Sequence, residues 1–377
     1  MRSLRNFALI AIASFFIFSC TNKMNENEIL LGSYSSNTGA TATFGIYQLR
    51  GLEMAVEEIN AKGGINGKKI KLLNYDNKSN NDETLAVVNR LITQDKVVAI
   101  LGEATSGRSK IGAQVAQQYK IPMLTSSATN PDVTKVGNYI FRACFIDPFQ
   151  GMVMAKFMTE NLKMKKAAIL RDIKSDYSVG LSDNFAEKLK AMGGEIVADL
   201  SYQEGDIDFK SQLTSIKGKN PDAIFVPGYY GEVALIAKQL QELNMKQPML
   251  GGDGWSSPDL FKIAKEAING HYFSNHYTTE STDPKTVEFV KAFKTKYNET
   301  PDVMAALAYD SVYMMADALK NLKTITSESI RDELAKIKDF HGVTGKMSMD
   351  ANRDAVKSAV VVKVQGEEYK FITEIAP

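Results

Sequence analysis

Very little in this chain is available for cysteine, histidine or polyelectrolyte chemistry. Its 377 residues hold two cysteines and three histidines, and 45 basic side chains face 44 acidic ones. Cys20 closes an N-terminal apolar segment, which leaves Cys144 alone, so no disulfide framework is expected in the rest of the chain. An isolated Cys144 reads as a small buried apolar residue rather than a nucleophile. His271, His276 and His341 form no metal-spaced pair of the His-Glu-x-x-His kind. There is no Gly-x-Ser-x-Gly elbow and no Walker A loop. Gly251-Gly252-Asp253-Gly254 has the wrong spacing for a dinucleotide fingerprint. Asp350-Ala351-Asn352-Arg353-Asp354 lacks the glycine and distal glutamate of a calcium loop and reads as a hairpin turn. No enzyme activity, cofactor or metal is therefore expected. The balanced charge argues against nucleic acid, which demands a basic face. After the first twenty residues no long apolar run remains, so nothing there is expected to span a membrane. Linkers rich in Pro, Gly or Ser are missing too, as are internal repeats.

What is present begins with a targeting segment. Arg2 and Arg5 precede an apolar run of twelve residues, 7–18, too short for a stable membrane helix. Ile17-Phe18-Ser19-Cys20 resembles a bacterial lipobox, with isoleucine where leucine is commoner. Residues 1–19 read as a lipoprotein signal peptide, Cys20 as the lipid attachment site, and the polar, Asn-rich 20–27 as a tether. Ordinary secretion with Cys20 incidental is the competing reading. Losing Arg2 and Arg5 takes the formal charge from +1 to −1.

Strands and helices then alternate. Residues 29–34, 69–75, 97–101 and 122–125 read as strands, with helices at 44–62, 81–95 and 109–119 between and after them. The 81–95 helix places Leu85, Val88, Leu91 and Ile92 inward. The pattern restarts with a helix at 149–162 and strands at 167–171, 196–202, 223–226 and 249–251, separated by helices at 178–192, 209–216 and 232–243. Helices follow at 284–297, 304–321 and 327–337, and strands at 359–364 and 368–375 close the chain. Such alternation predicts an α/β fold of two doubly wound lobes, each a parallel sheet with helices on both faces.

The most specific stretch is 51–76, GLEMAVEEINAKGGINGKKIKLLNYD. Leu52, Val56 and Ile59 form one helical stripe and leave Glu53, Glu57 and Glu58 for solvent. Gly63 and Gly64 stop that helix, Asn66-Gly67 turns, and 69–75 alternates as a strand.

In doubly wound sheets ligands sit at the carboxyl ends of strands. Two such ends are rich in small hydroxyl residues: Gly102-Glu103-Ala104-Thr105-Ser106-Gly107 and Ser126-Ser127-Ala128-Thr129. Hydroxyls and free N–H groups at helix starts suit a carboxylate. The same residues are also preferred helix caps, and on the residues alone both readings stand. Asp253, set among glycines after a strand, is either an acid at a strand mouth or an ordinary Asp-Gly turn. Tyr177 and Tyr229 follow strands 167–171 and 223–226; among fifteen tyrosines neither stands out unaided.

The wording EEINAKGGINGKKIKLLNYD, together with 101–106 and 122–131, resembles the amino-acid-binding solute receptors of ABC importers, the branched-chain type of periplasmic binding protein. The resemblance implies a type I periplasmic-binding fold with a hinge and a ligand cleft, its chain crossing between lobes near Cys144, Ser274 and Lys346. Lobe 1 is then 28–144 with 275–345, and lobe 2 is 145–274 with 346–377. Ser106, Ser127, Ala128 and Thr129 are implied to hold the carboxylate and ammonium of an amino acid. Asp253 stands where relatives carry an acid, usually glutamate, that pairs with the ammonium. Tyr177, Tyr229 and Phe44 are implied to meet the ligand, and Glu103 and Arg108 lie close enough to alter its side-chain preference. Ser79 and Thr105 stand where some relatives have a disulfide. The implied partners are a small amino acid, branched-chain or otherwise aliphatic, and an ABC permease. The membrane is reached through the lipid anchor only, and the protein is expected to be a monomer in the periplasm or at the cell surface. A ligand-sensing receptor on the same fold is the alternative; a secreted hydrolase fits least, for want of a nucleophile and base.

Overall fold

The computed structural model describes residues 27–377; the expected signal peptide, Cys20 and most of the tether lie outside the described residues. The first unit comprises β1 (Glu28–Ser35), α1 (Ala42–Ala61), β2 (Lys69–Asp76), α2 (Asn81–Thr93), β3 (Ala99–Gly102), α3 (Ser106–Gln118), β4 (Met123–Thr125), the single turn α4 (Asp132–Lys135) and β5 (Ile140–Arg142). Its strands form an all-parallel sheet in the order β2-β1-β3-β4-β5, with Leu31 of β1 level with Ala99 of β3. All four residues of β3 are buried, which is why that strand reads as an apolar run rather than an alternation.

The second unit comprises α5 (Asp147–Lys156), β6 (Lys166–Asp172), α6 (Asp176–Ala191), β7 (Glu195–Tyr202), α7 (Lys210–Gly218), β8 (Ala223–Phe225), α8 (Tyr230–Glu242), β9 (Met249–Gly251), α9 (Pro258–Ala264) and β10 (Tyr272–Asn275). After it come α10 (Pro284–Tyr297), α11 (Val303–Lys320), α12 (Ser327–Leu334), β11 (Phe340–Gly342), β12 (Gly345–Met349), β13 (Ala355–Val356), β14 (Ala359–Gln365) and β15 (Glu368–Ile375). The second sheet runs β15-β14-β10-β9-β8-β6-β7, with β14 antiparallel to both of its neighbours, β10 and β15. Strand order reverses beside β1 and β3 in the first sheet and beside β6 and β8 in the second, and such reversals open the crevices where ligands bind.

Local chemistry explains the boundaries. Leu52, Val56 and Ile59 of α1 are buried. The helix ends before Gly63 and Gly64, whose φ values of +99° and +78° suit residues without a Cβ. At Gly51 a Cβ would stand 2.1 Å from the carbonyl oxygen of Ala305, so glycine lets α1 and α11 touch backbone to backbone.

Several expectations change. Glu58 is not left to solvent: it accepts hydrogen bonds from the Tyr309 and Tyr313 hydroxyls of α11 at 2.6 and 2.9 Å. Leu85 is 47% exposed, and Thr84 takes the inward position one residue earlier. Strands β5, β10 and β11–β13 and helix α9 went unread because each is only two to seven residues long, too short for a period to show, although 350–354 is the hairpin turn expected there, joining antiparallel β12 and β13. The boundary expected near Lys346 falls inside β12. Met347, Met349 and Ala355 pack in one core with Leu31, Leu52 and Val312, so the chain rejoins the second sheet only at β14.

Candidate functional site

The loops after β3 and β4 face those after β6, β8 and β9 across a small cavity. Seven of the eight candidate ligand residues line it: Phe44, Ser106, Ser127, Thr129, Tyr177, Tyr229 and Asp253. Ala128 does not; it is fully buried, its carbonyl accepting from Arg142 and from the Cys144 thiol. Ala104, Gly254 and Met304 complete the wall. Burial pushes the Cys144 thiol far above its ordinary value, which suits a packing residue.

On the first-sheet side, the two hydroxyl-rich loops are laced together. Ser127 Oγ donates to the Ala104 carbonyl at 3.3 Å, and Ser106 Oγ accepts from the Asn130 N–H at 3.2 Å. Glu103 and Arg108 are spent on structure rather than on the cavity. Glu103 accepts from Ser36 Oγ (2.6 Å), Thr105 N (2.6 Å) and Arg108 Nε (3.2 Å), while Arg108 donates to Thr41 Oγ1 at 2.6 Å.

On the second-sheet side, Asp253 is 3% exposed and held by three donors. Gln150 Nε2 and Tyr177 Oη reach Oδ1 at 2.8 and 3.0 Å, and His276 Nε2 reaches Oδ2 at 3.2 Å. A carboxylate offers about four acceptor positions, so one is left for a donor in the cavity. Burial holds the His276 pKa down at about 4, against the pull of Asp253, so its ring is neutral near pH 7 and donates through Nε2. Its face stacks on Phe145 at 3.6 Å between ring centroids. Gln150 and His276 were missed in the sequence, although Gln150 lies three residues beyond Asp147 in a helix start that could have been searched for inward polar groups. The glycines beside Asp253 serve close approach: a Cβ on Gly252 would meet Tyr177 Oη at 2.4 Å, and one on Gly254 the Gly228 carbonyl at 2.8 Å.

The roof is aromatic. Tyr177 and Tyr229 stack at 5.3 Å with planes 5° apart, and Phe44 meets Tyr229 edge-on at 5.6 Å. Contacts between the two units keep the cleft shut. Lys110 pairs with Asp176, Thr43 bonds Asp259, and Asn130 Nδ2 donates to the Asp176 carbonyl at 2.7 Å. A wider open groove between α10, α11 and β11 mixes charges of both signs, and its acids Asp310 and Glu58 are already engaged, the first by Val343 and Thr344 and the second by Tyr309 and Tyr313. Among the described residues no cluster of His, Cys, Asp and Glu is arranged to hold a metal ion.

Two parallel α/β units facing each other across an enclosed cleft at their strand ends define a type I periplasmic-binding fold. The chain belongs to the periplasmic binding protein family, whose sequence profile matches residues 28–368. It is 31% identical to the Leu/Ile/Val-binding protein BraC3 of Rhizobium johnstonii, over 87% of this chain and 89% of that one. Its fold is similar to that of the leucine binding protein LivK from Thermotoga maritima, with a TM-score of 0.89 and 36% identity over 93% of this chain and 99% of that one. It is also similar to the branched-chain amino acid transporter substrate binding protein LivJ from Streptococcus pneumoniae, solved in complex with isoleucine, with a TM-score of 0.86 and 39% identity over 92% of this chain and 99% of that one. The family is one of solute-binding proteins, and substrate binding is the role these relatives support for this chain.

Proposed function

We propose that the protein captures a small aliphatic α-amino acid and presents it to an ABC permease. The observation that carries this reading is the pairing of opposite chemistries across one small cavity. Ser106 and Ser127 offer hydroxyls for a carboxylate, Thr129 a hydroxyl for the ammonium, and Asp253 keeps one acceptor position for that ammonium. Phe44, Met304 and the two stacked tyrosines supply apolar wall for the side chain, and no charged group besides Asp253 lines the cavity. The closed cavity is lined by only ten residues, so the ligand is small. Leucine, isoleucine and valine are favoured, in keeping with the relatives. The protein acts without catalysing.

In this reading residues 28–144 and 275–356 form one lobe and 145–274 with 357–377 the other, hinged where the chain crosses. The latches between them describe a closed, ligand-holding state. Calorimetry against the twenty amino acids, with amides, sugars and plain carboxylates as controls, tests the ligand class. A saturating aliphatic amino acid is expected to raise the melting temperature and shrink the radius of gyration. Tight binding of a ligand with no ammonium, and none of any amino acid, would refute the proposal.

The anchor is a further part of the proposal, supported by Ile17-Phe18-Ser19-Cys20. Cys20→Ala is expected to release the protein from membranes or to block its processing; a variant that matures and fractionates with membrane as before removes the lipid anchor from the account.

A further inference from the structure

Asp147 is the least explained ionisable group near the cleft. It opens α5, is fully buried, and neither of its carboxyl oxygens has a hydrogen-bond partner. Such a group is costly unless something completes it. Burial pushes its carboxyl up to about 8, and Asp253 adds to the rise, while the Thr129 hydroxyl and Arg142 oppose it. The other ionisable groups around it are Tyr177 of α6 and, beyond Asp253, the neutral His276. No hydrogen bond joins the Thr129 hydroxyl to the carboxyl, while the Thr129 carbonyl accepts the Asp147 N–H at 3.0 Å. Thr129 is also a wall of the cavity. It therefore stands between Asp147 and any ligand.

We propose that Asp147 is a positioning residue for the ligand's ammonium, acting through the Thr129 hydroxyl; this rests on the amino-acid reading above. A hydroxyl has one proton and two lone pairs. When Asp147 is ionised, Thr129 gives it that proton and turns its lone pairs to the cavity, where only a donor satisfies them. A bound cation between Thr129 and Asp253 in turn favours the charged form of Asp147. The pair thus selects an ammonium over a group that cannot donate.

The test is the preference of the protein for leucine over 4-methylpentanoate, the same skeleton without the amine, measured by calorimetry. Asp147→Asn is expected to shrink that preference at least about tenfold, the scale of a hydrogen bond to a charged group. Thr129→Val is expected to do likewise, and Asp147→Asn to add nothing in the Thr129→Val background. Thermal unfolding of the ligand-free proteins verifies that they are folded; if Asp147→Asn is not, the Thr129→Val comparison decides. An unchanged preference in either folded variant, or equal losses from Asp147→Asn with and without Thr129, overturns the proposal. A wild-type protein that takes 4-methylpentanoate as tightly as leucine, or takes neither, overturns the amino-acid reading itself and this inference with it.

Discussion

Replacing Asp253 with alanine weakens binding of an aliphatic amino acid by about 2–5 kcal/mol, roughly thirty- to several-thousand-fold. Two losses combine. The ligand's ammonium is enclosed in a cleft with its counter-charge gone, and an unpaired buried charge is expensive. Gln150, Tyr177 and His276 also lose the oxygens they bond at 2.8, 3.0 and 3.2 Å. Asp253→Asn separates the two losses. It keeps an acceptor and most of the shape but removes the charge, so a penalty close to that of alanine assigns the effect to the charge. Calorimetric titration with leucine measures both variants. Affinity within threefold of wild type in Asp253→Ala would place the ammonium elsewhere and remove this residue from the site.

Asp354→Ala is expected to destabilise the folded protein by about 3–5 kcal/mol, the cost of breaking a buried ion pair by removing one partner. Arg142 has no exposed surface, and its Nε lies 2.5 Å from Asp354 Oδ1. The rest of the guanidinium donates to the Ala128 carbonyl and, at 2.9 Å each, to the Asn130 carbonyl and Thr134 Oγ1. Asp354 thereby ties the turn after β12 to the loop that carries Ser127 and Thr129. Denaturant unfolding of the ligand-free protein reads the effect, and leucine affinity is expected to fall with it because that loop loses its brace. A loss under about 1 kcal/mol would show that carbonyls and water satisfy Arg142 unaided.

Much of the site was legible because its chemistry is local. Ser106, Ser127 and Thr129 sit just past strands whose apolar runs are visible in sequence, and doubly wound sheets put ligands at that end. Asp253 among glycines was visible for the same reason, although on its own an ordinary Asp-Gly turn is the favoured reading. What each of these residues touches was not legible. Glu103 and Arg108 looked available to a ligand, yet they bond each other and the loops around Ser36 and Thr41. Gln150 and His276 were passed over because a helix-start glutamine and a lone histidine carry no signature. Their meaning comes from Asp253, which lies 103 residues from Gln150. β11, β12 and β13 went unread because they are short strands whose core partners are far away in sequence.

The sequence by itself determined the alternation of strands and helices, the glycine stops and turns of 61–67, and which strand ends carry hydroxyls and an acid. Periods of 2 and 3.6 residues and the freedom of glycine act between near neighbours, so they are written in order along the chain. Only the tertiary structure decided that Phe44, Thr129, Tyr177 and Asp253 share one closed cavity, that Asp253 has three donors, and that Asp147 is buried with none. Those facts depend on how two sheets approach, and contacts between residues a hundred positions apart leave no period for a reader of the sequence to find.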